Sequence, residues 1–242
     1  MPELAQPSSS FRKHRRFQEF ARGLVRLPEP GEGALDYLLP EERWQELLRQ
    51  VEDGAAWLAA LSQASGVYFF PSREWVPRFL RYLRFLKVNR LLEAGAGRGY
   101  LTAALAPLAQ AAGLKFLAVD RGDGEFAPGL PVYHGVTRGD AFALVQDFRP
   151  QVVLYAWPPP GQSLAPICQA PFLHYLMMVG EAGGGATGAR EDWEKLPQRD
   201  SEALRRYGRG RTGPERHRVT VFRGGALGAG GAKGRQHRPF SP

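Results

Sequence analysis

Hydrophobic positions along the chain change their period near residue 90. From Leu35 onward Leu38, Leu39, Trp44, Leu47, Leu48, Val51, Trp57, Leu58 and Leu61 recur at helical spacing. This predicts two or three amphipathic helices, broken near Pro40 and Gly54. A further helix is expected over 72–86, with Ser72 as its cap and Arg78, Arg81 and Arg84 on the face away from Phe79, Leu83 and Leu86. Short apolar runs then alternate with helical stretches. Strands are expected at 90–93, 115–120, 132–135, 151–157 and 175–180, with helices at 100–112, 140–148 and 164–173. Such alternation predicts a parallel sheet covered by helices on both faces, an α/β chain. Beyond it, 193–206 reads as helix and 218–222 as a last strand.

The organisation expected is a basic N-terminal segment and linker over 1–34, a helical extension over 35–65, an α/β domain over 66–224 and a flexible, basic, Gly-rich tail over 225–242. The Pro/Gly stretch at 27–33 marks the linker, and the glycine-rich, apolar-poor stretch from Gly224 onward marks the tail. A hydrophobic share of 43% with 23% charged residues suits one soluble globular domain in a chain of 242 residues. The apolar runs are too short to span a bilayer, and residues 1–10 carry no secretory pattern. Cys168 is the single cysteine, so neither an intramolecular disulfide nor a cysteine-based zinc site is available. A cytoplasmic, cofactor-using protein is the expectation, with no metal and no membrane partner.

Charge is uneven. The whole net charge of +8 sits in 199–242, where eleven bases face three acids. Arg12, Lys13, Arg15 and Arg16 form a second cluster. Clustered arginine can neutralise a phosphate backbone, or simply solvate a surface.

The chemistry concentrates in Leu91-Leu92-Glu93-Ala94-Gly95-Ala96-Gly97-Arg98-Gly99-Tyr100. An apolar strand ends at an acid, glycines follow at alternate positions, and a helix begins. Glycine allows the sharp turn and lets backbone approach a ligand. The spacing G-x-G-x-G differs from the G-x-G-x-x-G of nicotinamide and flavin sites. Asp120 closes the second apolar run, and Gly139-Asp140-Ala141 precedes a helix. Taken singly, Asp140 is an ordinary helix cap and Asp120 a turn residue.

Together these residues resemble the class I S-adenosylmethionine-dependent methyltransferases, and the resemblance extends to Gly188. It implies a Rossmann-like fold in which Glu93 organises the glycine loop and Gly95, Gly97 and Gly99 pass beneath the methionine part of S-adenosylmethionine. It further implies that Asp120 holds the ribose hydroxyls and that Asp140 with Ala141 reads the adenine. After the fourth strand comes Trp157-Pro158-Pro159-Pro160, which departs from the Asn/Asp-Pro-Pro-aromatic motif of amino-methylating enzymes. Trp157 replaces the polar residue there, and an indole offers one donor and no acceptor. With Val179-Gly180-Glu181-Ala182-Gly183-Gly184-Gly185-Ala186-Thr187, this resembles more specifically a poorly characterised methyltransferase-like group. Trp157 and Pro158 are then expected beside the cofactor, and Trp157 and Glu181 are candidate catalytic residues. Glu181 can equally serve to bond loop amides.

Weaker candidates are Tyr68, Phe69, Phe70 and Pro71, read as core packing or a cover over the cofactor, and His134, His174 and His217. Direct methyl displacement chiefly requires alignment, so the lack of an evident base does not exclude it. Three functions stay open: methylation of a small molecule, methylation of RNA or another nucleic acid through the basic termini, and S-adenosylmethionine binding without catalysis.

Overall fold

The computed structural model describes residues 9–122, 129–183 and 186–227, with side chains described from residue 15. Helix α1 (Ser9–Leu24) packs on α3 (Gly54–Ser65), after α2 (Glu41–Arg49). Asp53 caps α3 by accepting the N–H groups of Ala55 and Ala56, both at 2.9 Å. Strand β1 (Phe69–Pro71) and α4 (Trp75–Phe85) follow. Trp75, Val76, Phe79 and Leu83 form the buried stripe of α4.

The α/β part runs β2 (Arg90–Ala94), α5 (Tyr100–Ala111), β3 (Lys115–Asp120), β4 (Val136–Arg138), α6 (Ala141–Phe148), β5 (Val152–Ala156), α7 (Ala165–Cys168) and β6 (Tyr175–Glu181). It closes with α8 (Arg190–Lys195), β7 (Gln198–Asp200), α9 (Glu202–Arg205), β8 (Gly208–Gly210), β9 (His217–Arg223) and a 3-10 turn at Gly225–Leu227. Seven strands form one sheet in the order β4-β3-β2-β5-β6-β9-β7. The first five run parallel, and β9 is antiparallel to both β6 and β7. Strand order reverses between β2 and β5, which leaves a crevice at their C-terminal ends. This is a Rossmann-like α/β fold.

The central strands β5 and β6 are apolar on both faces, as burial between helix layers demands. Along β5, Val152 and Leu154 join Leu61, Trp75, Phe79 and Leu105 in one core. Val153 and Tyr155 point the other way, toward Val145, Ile167 and Met178.

Several expectations are corrected. Helix α1 lies in the basic segment ahead of the Pro/Gly stretch, where no helix was expected. Helix α4 starts at Trp75, because the N–H of Trp75 bonds the carbonyl of Ser72 at 3.0 Å and the Ser72 hydroxyl caps nothing. The third strand is Val136–Arg138: 132–135 is a turn, with the Val136 N–H on the Tyr133 carbonyl at 3.1 Å. The expected helix over 164–173 shrinks to Ala165–Cys168, since Pro171 cannot continue it. The helix read over 193–206 is instead α8, β7 and α9. Pro197 ends the first, and Gln198 to Asp200 pair with Phe222, Val221 and Thr220 of β9. The basic C-terminal segment is therefore woven into the sheet as far as Arg223. Of the tail expected over 225–242, Gly225–Leu227 forms the 3-10 turn, and 228–242 lie outside the described residues. Pairing of β1 with β8, Phe69 opposite Gly210, was not anticipated.

Candidate functional site

A cavity of about 570 Å³ opens at the β2/β5 crevice, within the usual range for small-molecule sites. Its floor is the glycine loop. Gly95, Gly97 and Gly99 have φ of +61°, +57° and +79°, a region costly for side chains with a Cβ. At Gly95 a Cβ would also sit 2.5 Å from the Tyr155 ring. The loop is tied to β3: the Ala96 N–H donates to the Val119 carbonyl at 3.0 Å, and the Gly97 N–H to Asp120 Oδ2 at 2.7 Å. Asp120 Oδ1 accepts the Gly122 N–H at 2.7 Å.

Glu93 is 4% exposed at the cavity wall, where Thr102 Oγ1 donates to its Oε2 at 2.8 Å. Burial, with a smaller push from the Asp120 charge, raises its pKa to about 8 against the Thr102 bond. Asp140 caps α6, accepting the Phe142 N–H at 2.9 Å, and meets Arg121 at 3.3 Å. The Gly139 N–H reaches the Asp120 carbonyl at 2.9 Å, so the β3 and β4 ends are joined.

Trp157 leaves β5 in a left-handed conformation, φ +56°, held by its N–H on the Val179 carbonyl at 2.7 Å. Such strain in a non-glycine residue needs support from its surroundings, and the indole lies against Gly210, where a Cβ would approach it to 2.5 Å. Its Nε1 is buried without a partner. Gly188 joins the loops after β5 and β6: its N–H bonds the Pro158 carbonyl at 3.2 Å, and its carbonyl accepts from Gly161 at 2.9 Å. Gly180 leaves room for the Thr187 side chain, whose hydroxyl donates to the Glu181 carbonyl. The glycine-and-threonine element thus anchors the Trp-Pro loop. Gly184 and Gly185 lie outside the described residues.

Of the candidates read from sequence, Glu93, Gly95, Gly97, Asp120, Asp140, Ala141, Trp157 and Pro158 all line this cavity. Gly99 does not; it caps α5, where a Cβ would meet Tyr133 and Val136 at 2.7 Å. Glu181 does not either: it ends β6 opposite His217. His217 is fully buried, stacked on Phe69 with ring centroids 5.7 Å apart. Burial first, and then nearby arginines, lowers its pKa to about 3. Sequence reasoning missed Arg98, Arg121, Gln162 and Arg211 as lining residues, and Tyr68 and Phe69 also face the cavity. No local signal marks Arg211, which arrives through the β1–β8 pairing. Among the described residues no group of three or more His, Cys, Asp or Glu is placed to hold a metal, and no helix is long and apolar enough to cross a membrane.

No protein-family model and no curated protein matches the chain. Solved structures do. A protein from Staphylococcus aureus assigned as a caffeoyl-CoA O-methyltransferase is 10% identical, over 76% of this chain and 99% of that one, with a TM-score of 0.42. Human N-acetylserotonin methyltransferase, in complex with SAM, is 11% identical over 90% and 68%, with a TM-score of 0.38. The CurJ carbon methyltransferase is 13% identical over 91% and 72%, with a TM-score of 0.43. These likenesses concern fold alone, and it is the strand order of the chain itself that makes it Rossmann-like.

Proposed function

We infer that the chain binds S-adenosylmethionine in the switch-point cavity and transfers its methyl group to a small molecule held beside Trp157. The observation that carries this reading is Asp120, whose two oxygens accept the Gly97 and Gly122 amides while facing the cavity. Each oxygen keeps a second lone pair, so the carboxylate can still take both hydroxyls of a ribose, and the donor set fits the cofactor.

When bound, S-adenosylmethionine supplies an electrophilic methyl group on a sulfonium. The chain does the rest. Glycine-loop backbone leaves room for the methionine part, Asp120 orients the ribose, and Asp140, Ala141 and Phe142 border the adenine end. Trp157 with Pro158 to Pro160 walls the other end, excludes water and fixes where an acceptor lies. Calorimetric titration with S-adenosylmethionine and S-adenosylhomocysteine tests the reading, followed by labelled methyl transfer to extract fractions. Binding of both with turnover is the expected result. Binding without turnover on any fraction would make the chain a non-catalytic cofactor-binding protein. Failure of both to bind well-folded protein overturns the reading.

One surface favours nucleic acid as a second acceptor class. Arg78 lies 4.3 Å and Arg206 5.4 Å from the Tyr207 ring centroid, and Arg81 and Arg84 are exposed on the same helix as Arg78. Arginines around an aromatic ring suit RNA. Reversing Arg81 and Arg84 to Glu should abolish salt-dependent RNA binding by the full chain.

A further inference from the structure

Polar groups are divided along the cavity wall. Its carboxylates, Glu93, Asp120 and Asp140, belong to the ends of β2 and β3 and to the α6 cap. Three arginines line it too, and two are committed. Arg98 donates through Nε to the Pro131 carbonyl at 2.9 Å and through Nη1 to the Ser65 carbonyl. Arg121 meets Asp140 at 3.3 Å. Arg211 has no hydrogen-bond acceptor and no ion-pair partner for its guanidinium among the described residues.

Arg211 is nonetheless held in place. Its backbone N–H donates to the Tyr68 carbonyl at 3.2 Å, extending the β1–β8 pairing. Its guanidinium carbon lies 5.2 Å from the Tyr68 ring centroid and 5.8 Å from that of Trp157, and both rings line the cavity. These cation–π contacts use no hydrogen-bond acceptor, so among the described residues the N–H fork of Arg211 is left to match a carboxylate or phosphate.

We propose that Arg211 binds an anionic group on the methyl acceptor, which is a small molecule with a flat apolar body and a carboxylate or phosphate. The flat body follows from the wall beside Arg211, made of Tyr68, Phe69 and Trp157. The anion follows from an exposed guanidinium at the cavity wall that has no hydrogen-bond or ion-pair partner among the described residues, whereas Arg98 and Arg121 are engaged. That this anion belongs to a methyl acceptor rests on the cofactor reading above.

The test uses 4-hydroxybenzoate, phenyl phosphate and neutral 4-hydroxybenzamide as probes. Binding is followed by ligand-observed NMR with the full-length protein, alone and saturated with S-adenosylhomocysteine. One or both anions should bind about tenfold more tightly than the amide, the scale of one exposed charge-assisted contact, and their order identifies the group. Arg211→Gln should erase that preference, Arg211→Lys should keep part of it, and both should bind S-adenosylhomocysteine as the parent does. Equal binding of anions and amide, absence of anion binding, or a preference that survives Arg211→Gln overturns the proposal. So does an Arg211→Gln variant weakened about tenfold for S-adenosylhomocysteine, which would assign Arg211 to the cofactor's own carboxylate. Failure of S-adenosylhomocysteine to bind the parent strikes the cofactor reading instead, and the anion preference is still read in the unloaded protein.

Discussion

Asp120 accepts the backbone N–H of Gly97 at 2.7 Å, so the end of β3 and the turn after β2 are one mechanical unit. The carboxylate that would hold a ribose also sets the position of the loop beneath it.

Asp120→Asn should therefore weaken S-adenosylhomocysteine binding by about 1.5–3 kcal/mol, the range for hydrogen bonds to a charged group. Calorimetry checks the value, and circular dichroism confirms that the variant is folded. Unchanged affinity in a folded protein would take Asp120 out of the site.

Glu93 gives a pH signature. Its pKa is raised from 4.5 to about 8 by burial, so between those values the folded chain keeps a proton that the unfolded chain releases. Stability must then fall as pH rises through that window. Glu93→Gln cannot ionise, and its advantage over the parent should grow from pH 5 to pH 8 in urea denaturation. An advantage independent of pH would show that Glu93 ionises normally.

Gly95 and Gly113 separate backbone strain from steric overlap. Both have positive φ, +61° and +68°, but a Cβ meets the Tyr155 ring at Gly95 and nothing within 4 Å at Gly113. Gly113→Ala should cost about 1 kcal/mol of strain, and Gly95→Ala about 1–3 kcal/mol more from overpacking. Melting temperatures of the two variants give the comparison, and equal losses would mean that the Tyr155 ring simply moves aside.

Arg209 Nη2 lies 2.6 Å from both carboxylate oxygens of Glu41, with the two side chains 4% and 13% exposed. Glu41→Gln strands a buried cation and should cost about 3–5 kcal/mol. The double variant Glu41→Leu, Arg209→Met should recover most of that loss. A double variant as unstable as the single one would show that β8 needs the ion pair itself.

What can be read along the chain is what local physics writes there. Alternate glycines after an apolar strand mark a turn with left-handed backbone, and Glu93, Asp120 and Asp140 stand out because acids end or follow apolar runs. The period change near residue 90 likewise announces alternating strands and helices. The rest depends on pairing between distant segments. Gln198 to Asp200 are exposed and polar, with no strand period of their own; they become a strand only because β9 presents an open edge. Arg211 carries no local mark and reaches the cavity because Gly210 pairs with Phe69. Gly210 in turn has no Cβ to keep the Trp157 indole away. Hydrophobic period and turn chemistry act within a few residues, so the sequence alone determined the parallel core and the glycine loop. Which side chains share the far wall of the cavity was decided by β1–β8 pairing and close packing, which join residues far apart in the chain.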